Sequence, residues 1–222
     1  MNVDINTYKL SGSNLIGKVS LIIGIVFLAL SGYGFIQDKT HFFLNYLTAF
    51  VFWLSIPLGA LFFIMIHHIT GANWSTVLRR ISENIAATMP LMVILFIPIL
   101  FGIHDIYEWS HPELVDPNSA QFDKIIYGKS GYLNIPFFLI RSAIYLTVWT
   151  LLALSLRKKS LAQDNGHKDE FTSSFKKISA PGIILYALTI TFASFDWLMS
   201  LDPHWFSTIF GVYMFSGCRR FA

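Results

Sequence analysis

Charge is scarce in this chain and cysteine almost absent. Only 13% of its 222 residues are Asp, Glu, Lys or Arg, about half the ~25% of an ordinary soluble domain. Cys218 stands alone, which excludes internal disulfides, Cys-ligated iron–sulfur clusters and C-x-x-C-H haem attachment within the chain. Histidine is absent from the middle of every long apolar run. His67, His68, His104, His111 and His204 all fall at run ends or between runs, so the facing axial histidines of a haem-carrying helical bundle are missing. No basic stripe exists either. The Lys and Arg residues lie in separate short segments, which gives no nucleic-acid footprint. No internal repeat is visible.

What the chain does have is hydrophobic length. Hydrophobic residues make up 54% and aromatics 16%, more apolar surface than one water-soluble core can hide. A helix needs ~20 apolar residues to cross the hydrocarbon layer, and five segments supply them: 19–37, 42–66, 85–103, 135–156 and 180–201. A sixth, shorter run, WFSTIFGVYMFSGC, occupies 205–218. The expected fold is therefore all-α: a polytopic transmembrane helical bundle of about six spans over residues 15–218, the last incomplete. A polar N-terminal segment (1–14) precedes it, and residues 219–222 are expected to be a truncated tail. Pro57, Pro90 and Pro98 lie inside spans, where neighbouring helices and hydroxyls can re-satisfy freed carbonyls, so kinks are predicted there.

Orientation follows from the basic residues. With the N-terminus inside, twelve Lys and Arg residues fall in inner segments and only Lys39, Lys124 and Lys129 in outer loops. That is the positive-inside pattern, and it puts the N-terminus in the cytoplasm. Asp105, Glu108, Glu113, Asp116 and Asp123 gather in the outer loop 104–134. The polar stretch 157–178 reads as a mobile inner loop. Within 67–84, Trp74, Val77, Leu78 and Ile81 recur at helical spacing. They suggest a short interfacial helix with Arg79 and Arg80 towards the headgroups and His67 and His68 beside it; an ordinary loop leading into the third span is the alternative.

Ionisable groups inside spans are expensive, so each is a functional candidate. Arg141 and Asp196 are the two found. Arg141 lies six residues past the start of its span and Asp196 six before Asp202, which places both roughly 9 Å below the same outer surface. An ion pair between spans four and five is expected. Tyr145 follows Arg141 at i+4, while Thr189 and Tyr186 continue the Asp196 face inward. Together they make a polar stripe of the kind proton relays use; a purely structural pair is the alternative. His104, Asp105 and His204 lie near the same depth and could join Arg141 and Asp196 in one cluster able to hold a quinone headgroup. The aromatics Tyr107, Trp109, Tyr127, Trp197 and Trp205 at that boundary form the belt expected of any membrane protein.

Three stretches carry a family resemblance: GALFFIMIHHITGANWSTVLRRISENIAATMPLM (59–92), FGIHDIYEWSHP (101–112) and FASFDWLMSLDPHWFSTIFGVYMFSG (192–217). They resemble the second polysulfide-reductase-type (NrfD-like) membrane subunit of bacterial alternative complex III, a quinol:cytochrome c oxidoreductase. The DWLMSLDPHWFST run (196–208) is the most distinctive part. The resemblance implies a helical subunit of about ten spans in the bacterial inner membrane beside a sister NrfD-like subunit. It also implies partners with iron–sulfur clusters and multihaem c-type cytochromes, and a lipid-soluble quinol, menaquinol or ubiquinol, as the small molecule. It implies no covalently bound cofactor in this chain. This sequence departs from the pattern by stopping in the sixth span. From the residues alone, two other function classes stay open: a secondary transporter or channel with Arg141 and Asp196 on its path, and a structural scaffold.

Overall fold

A computed structural model describes residues 13–71, 76–163 and 168–219. The described residues form helices and no strand: α1 (Ser13–Gln37), α2 (Lys39–Thr70), α3 (Thr76–Ala86), α4 (Met89–Phe101), α5 (Ile103–Ile106), α6 (Lys124–Lys129), α7 (Ile135–Gln163), α8 (Lys168–Trp197) and α9 (Phe210–Arg219), with three single 3₁₀ turns. Among the described residues, five stretches are long and apolar enough to cross a membrane: 17–37, 39–70, 78–101, 135–163 and 174–201. The chain is a membrane protein of the helical-bundle type. A spanning backbone must satisfy its own hydrogen bonds, and the helix does so within one segment.

Local chemistry sets the helix ends. Asp38 caps α2, its carboxylate accepting from the His41 N–H at 3.0 Å. Gly71 closes the same helix in the left-handed region (φ 64°) and returns its N–H to the His67 carbonyl, a conformation that costs glycine least. Asn134 starts α7 by accepting from Phe137 N at 3.0 Å. The helix breaks at Ala87–Thr88, and Pro90 then sits in the first turn of α4, where its missing N–H has no intrahelical partner to lose. Pro57 and Pro98 lie inside α2 and α4. Near Pro98, the Tyr46 hydroxyl of α2 donates to the Leu95 carbonyl at 2.7 Å and ties α4 to the central helix.

α2 is the central helix. Leu47, Leu54, Leu58, Leu61, Ile64 and Met65 along it are all buried, and α3, α4, α8 and α9 pack around it. α1, joined to α2 through Asp38 alone, is exposed along its length. At Gly102 the α2 ring of Phe43 packs so closely that a methyl group would overlap it. Exposed Leu, Ile and Phe residues cover the outside, among them Ile94, Ile140, Ile144, Leu151 and Ile184, as lipid contact requires.

Four expectations change. α3 is helical, but it turns its apolar residues outward (Leu78 and Ile81 exposed) and its charged ones inward, so Arg79 and Arg80 point at α7 instead of at headgroups. The predicted mobile loop 157–178 is mostly helix: α7 runs to Gln163 and α8 starts at Lys168, and Lys159 donates to Ser174 between them. The third span is two helices, because Thr88 folds its hydroxyl back onto the Ile85 carbonyl (2.8 Å) at the break. The run from Trp205 becomes helical only at Phe210. α9 has ten residues, about 15 Å at the helical rise.

Candidate functional site

α7 and α8 are antiparallel neighbours, and their ends nearest the 124–134 segment carry Arg141 and Asp196. Asp196 is completely buried and Arg141 nearly so, at 0% and 7% exposure. The pair is bidentate: Nε to Oδ2 at 2.8 Å and an Nη to Oδ1 at 3.1 Å. Such a fork matches the guanidinium plane to the carboxylate and is the strong form of the interaction. The other Nη donates to the Tyr132 carbonyl at 3.0 Å. Rings of Tyr132 and Phe137 lie against the guanidinium, with its central carbon 3.9 and 4.2 Å from their centroids. The cation is thus wrapped by aromatic faces, which attract it through their quadrupoles.

Tyr145, one helical turn from Arg141 on the same face, donates its hydroxyl to Asp196 Oδ2 at 2.7 Å. Ser200 folds back onto the Asp196 carbonyl, and Tyr107 reaches the Trp197 carbonyl at 3.1 Å. Burial first, and then the nearby Asp196 charge, push the Tyr107 and Tyr132 phenols above the ordinary tyrosine range. Both stay protonated, and Tyr107 is the donor to Trp197. Beneath the pair, Trp197 packs against Phe96 and Trp149 at 5.0 and 5.8 Å between centroids, and its indole N–H donates to Ser142 Oγ at 2.9 Å. That aromatic layer keeps water from the carboxylate on the side facing the bundle core.

The polar stripe continues inward but changes character. Trp149 donates its indole N–H to Thr189 Oγ1 at 2.8 Å, Thr189 donates to the Leu185 carbonyl at 2.7 Å, and Tyr186 donates to the Leu58 carbonyl at 3.1 Å. The Thr189 and Tyr186 hydroxyls both end on backbone acceptors. An indole N–H is a donor only and cannot pass a proton along. The stripe is a set of separate bonds, not a hydroxyl chain.

The five-residue cluster expected at this end is only partly assembled. Arg141 and Asp196 meet, with Tyr145. His104 instead shares a hydrogen bond with Ser110 Oγ at 3.1 Å, and Asp105 sits half-buried in the first turn of α5. His204 pairs with Asp123 at 2.7 Å near the surface. An Asx turn, Asp202 Oδ1 to His204 N at 3.0 Å, bends the chain away from Asp196 just past α8. Two N–H groups of α6, Ile126 foremost, and the His204 ring hold the Asp123 carboxyl below its usual range. Beside the pair lies a cavity of about 420 Å³. Tyr132 and Ser200, both in contact with the Arg141–Asp196 unit, belong to its wall.

At the opposite end of the bundle, Glu83 escaped sequence reasoning. It is 2% exposed, pairs with Arg79 at 3.1 Å and Arg80 at 3.5 Å, and accepts from Ser160 Oγ at 2.7 Å. Arg79 also reaches Ser160 and Gln163. His67 and His68 are buried close by, His68 stacked flat on Phe175 at 4.1 Å. Trp74 lies outside the described residues. The available signal was the i, i+3, i+4 spacing of Arg79, Arg80 and Glu83, which puts all three on one helical face. Among the described residues no group of three or more His, Cys, Asp or Glu is arranged to hold a metal ion. The chain matches no family model and no curated protein.

Proposed function

We propose that this chain is a non-haem membrane subunit of a bacterial respiratory quinol:cytochrome c oxidoreductase, with the Asp196 end on the periplasmic side. Support for the class comes from the sequence stretches that resemble the NrfD-like subunit of alternative complex III, and for the orientation from the Lys and Arg distribution. The observation that carries the reading is the dehydrated Arg141–Asp196–Tyr145 unit set behind the wall of an apolar cavity. Quinol oxidation releases two electrons and two protons. The electrons would leave to iron–sulfur and c-type haem centres of partner subunits, and the protons to the periplasmic side. A fixed carboxylate held by a permanent cation orients hydroxyl donors in the wall, and Tyr132 is the side chain that touches both the cation and the cavity. Because the Trp149 indole is a donor only and Thr189 and Tyr186 end the polar stripe on backbone carbonyls, proton exchange is assigned to the Asp196 end alone.

A scaffold reading has one observation in its favour: both Asp196 oxygens are already satisfied within the chain. Joint replacement, Arg141→Leu with Asp196→Leu, separates the two. In native membranes the double variant should assemble with the multihaem and iron–sulfur partners yet lose most quinol-driven cytochrome c reduction. Assembly with undiminished electron transfer would make the pair structural and remove the proposed role.

A further inference from the structure

We propose that the cavity beside Tyr132 binds the uncharged, flat head of a membrane-soluble amphiphile that enters sideways from the bilayer. Three features support it. The first is access. Leu185, Leu188 and Phe192 form an exposed apolar stripe along α8, and the same helical face continues to Phe195 and Met199, which line the cavity. A lipid-contact stripe therefore runs into the cavity mouth. Towards water, the 203–204 backbone is tied to α6 by Lys129, whose ammonium donates to the Pro203 carbonyl at 2.5 Å, and by the His204–Asp123 pair.

The second feature is shape and surface. A volume of about 420 Å³ falls in the ~300–1,000 Å³ range of small-molecule sites. The rings of Phe195, Trp205 and Phe206 with Tyr132 make its walls largely aromatic, which suits a planar ring packed face or edge on. Phe206 is 74% exposed, a large ring left at the rim where a tail would leave for the lipid.

The third is charge. Among the described residues the lining holds one cation, Lys129, and one anion, Asp202. Lys129 is engaged with Pro203, and Asp202 with the His204 and Trp205 N–H groups. The Lys129 and Asp202 charges offset one another, so an anionic phosphate head gains no net attraction and must approach a carboxylate, whereas a neutral hydroxyl or carbonyl head meets no charge penalty. The identity of that head as a hydroquinone, rather than another neutral ring, rests on the function proposed above.

Photolabelling in native membranes tests the site without requiring turnover. A short-chain azidobenzoquinone should crosslink within 128–133 or 195–206, and excess long-chain hydroquinone should suppress the label while added phosphatidylglycerol should not. Gly128 lines the cavity and has open space where a side chain would start, so Gly128→Leu narrows it without a clash at Cβ. It should weaken labelling about tenfold, a discrimination typical of one lost apolar contact set. Gly131→Leu, equally open but outside the lining, should label normally. Crosslinks confined to other segments, suppression by phosphatidylglycerol but not by hydroquinone, or equal labelling of Gly128→Leu and Gly131→Leu would overturn the site. The two proposals fail separately: competed labelling with full electron transfer in the Arg141/Asp196 double variant keeps the cavity and removes the role of the ion pair.

Discussion

The two ends of the bundle solve the same electrostatic problem in different ways. Each buries one carboxylate against arginine and a hydroxyl: Asp196 with Arg141 and Tyr145, Glu83 with Arg79, Arg80 and Ser160. At the Glu83 end both cations lie on the same helix as the acid, and Arg80 is 37% exposed, so water shares the load. The hydroxyl there comes from α7, and the cluster fastens α3 to that helix. At the Asp196 end the cation comes from a different helix, is wrapped by two rings and, among the described residues, pairs with no second acid. A charge cluster that is local and reaches water through one of its arginines works as a clamp. One that is long-range and dry fixes the relative rotation of two helices and shapes the adjoining cavity.

The largest expected effect is at the dry end. Arg141→Leu or Asp196→Leu alone should lower stability by about 3–5 kcal/mol, the cost of leaving one buried charge without its partner. The double variant should recover much of that loss. Thermal unfolding in detergent gives the coupling directly, and losses that simply add would show two independent sites. Glu83→Gln, which keeps shape and removes charge, should lower stability less, by about 1–3 kcal/mol, since Arg80 can turn to solvent. A loss at Glu83 equal to or above that of the Asp196 singles would erase the distinction between clamp and dry pair. The smallest effect concerns the His204–Asp123 tie. The folded Asp123 carboxyl titrates below its unfolded value, so its contribution is present above the ordinary carboxylate pKa and is lost as pH falls through the folded one. Acidification through the folded Asp123 pKa should therefore expose the 202–206 segment to proteolysis, and Asp123→Asn should show that exposure already at neutral pH. Equal protease sensitivity of wild type and Asp123→Asn at neutral pH would show that the tie does not hold the segment.

Much of the architecture was legible in the residues because depth in a membrane helix is simple arithmetic. Apolar run length fixes five spans, and the 1.5 Å rise brings Arg141 and Asp196 to one level. Tyr145 followed from i+4 spacing. Glu83 was missed because the stretch around it is charged enough to read as extramembrane, although its helix faces lipid with Leu78 and Ile81. His204 and His104 were placed near Asp196 by depth, which says nothing of direction: a single Asx turn at Asp202 sends His204 to Asp123, and the Ser110 hydroxyl holds His104.

By itself, then, the sequence determined the long apolar helices and the height of each polar group along them, because both depend on one-dimensional spacing. Tertiary structure decided which way α3 rotates, which hydroxyls meet which carboxylates, that Trp149 interrupts the polar stripe, and that 128–133 and 195–206 enclose a cavity. Rotation about a helix axis and the path of a loop are set by the sum of contacts with several other elements, many of them distant in the chain, and no local pattern encodes that sum.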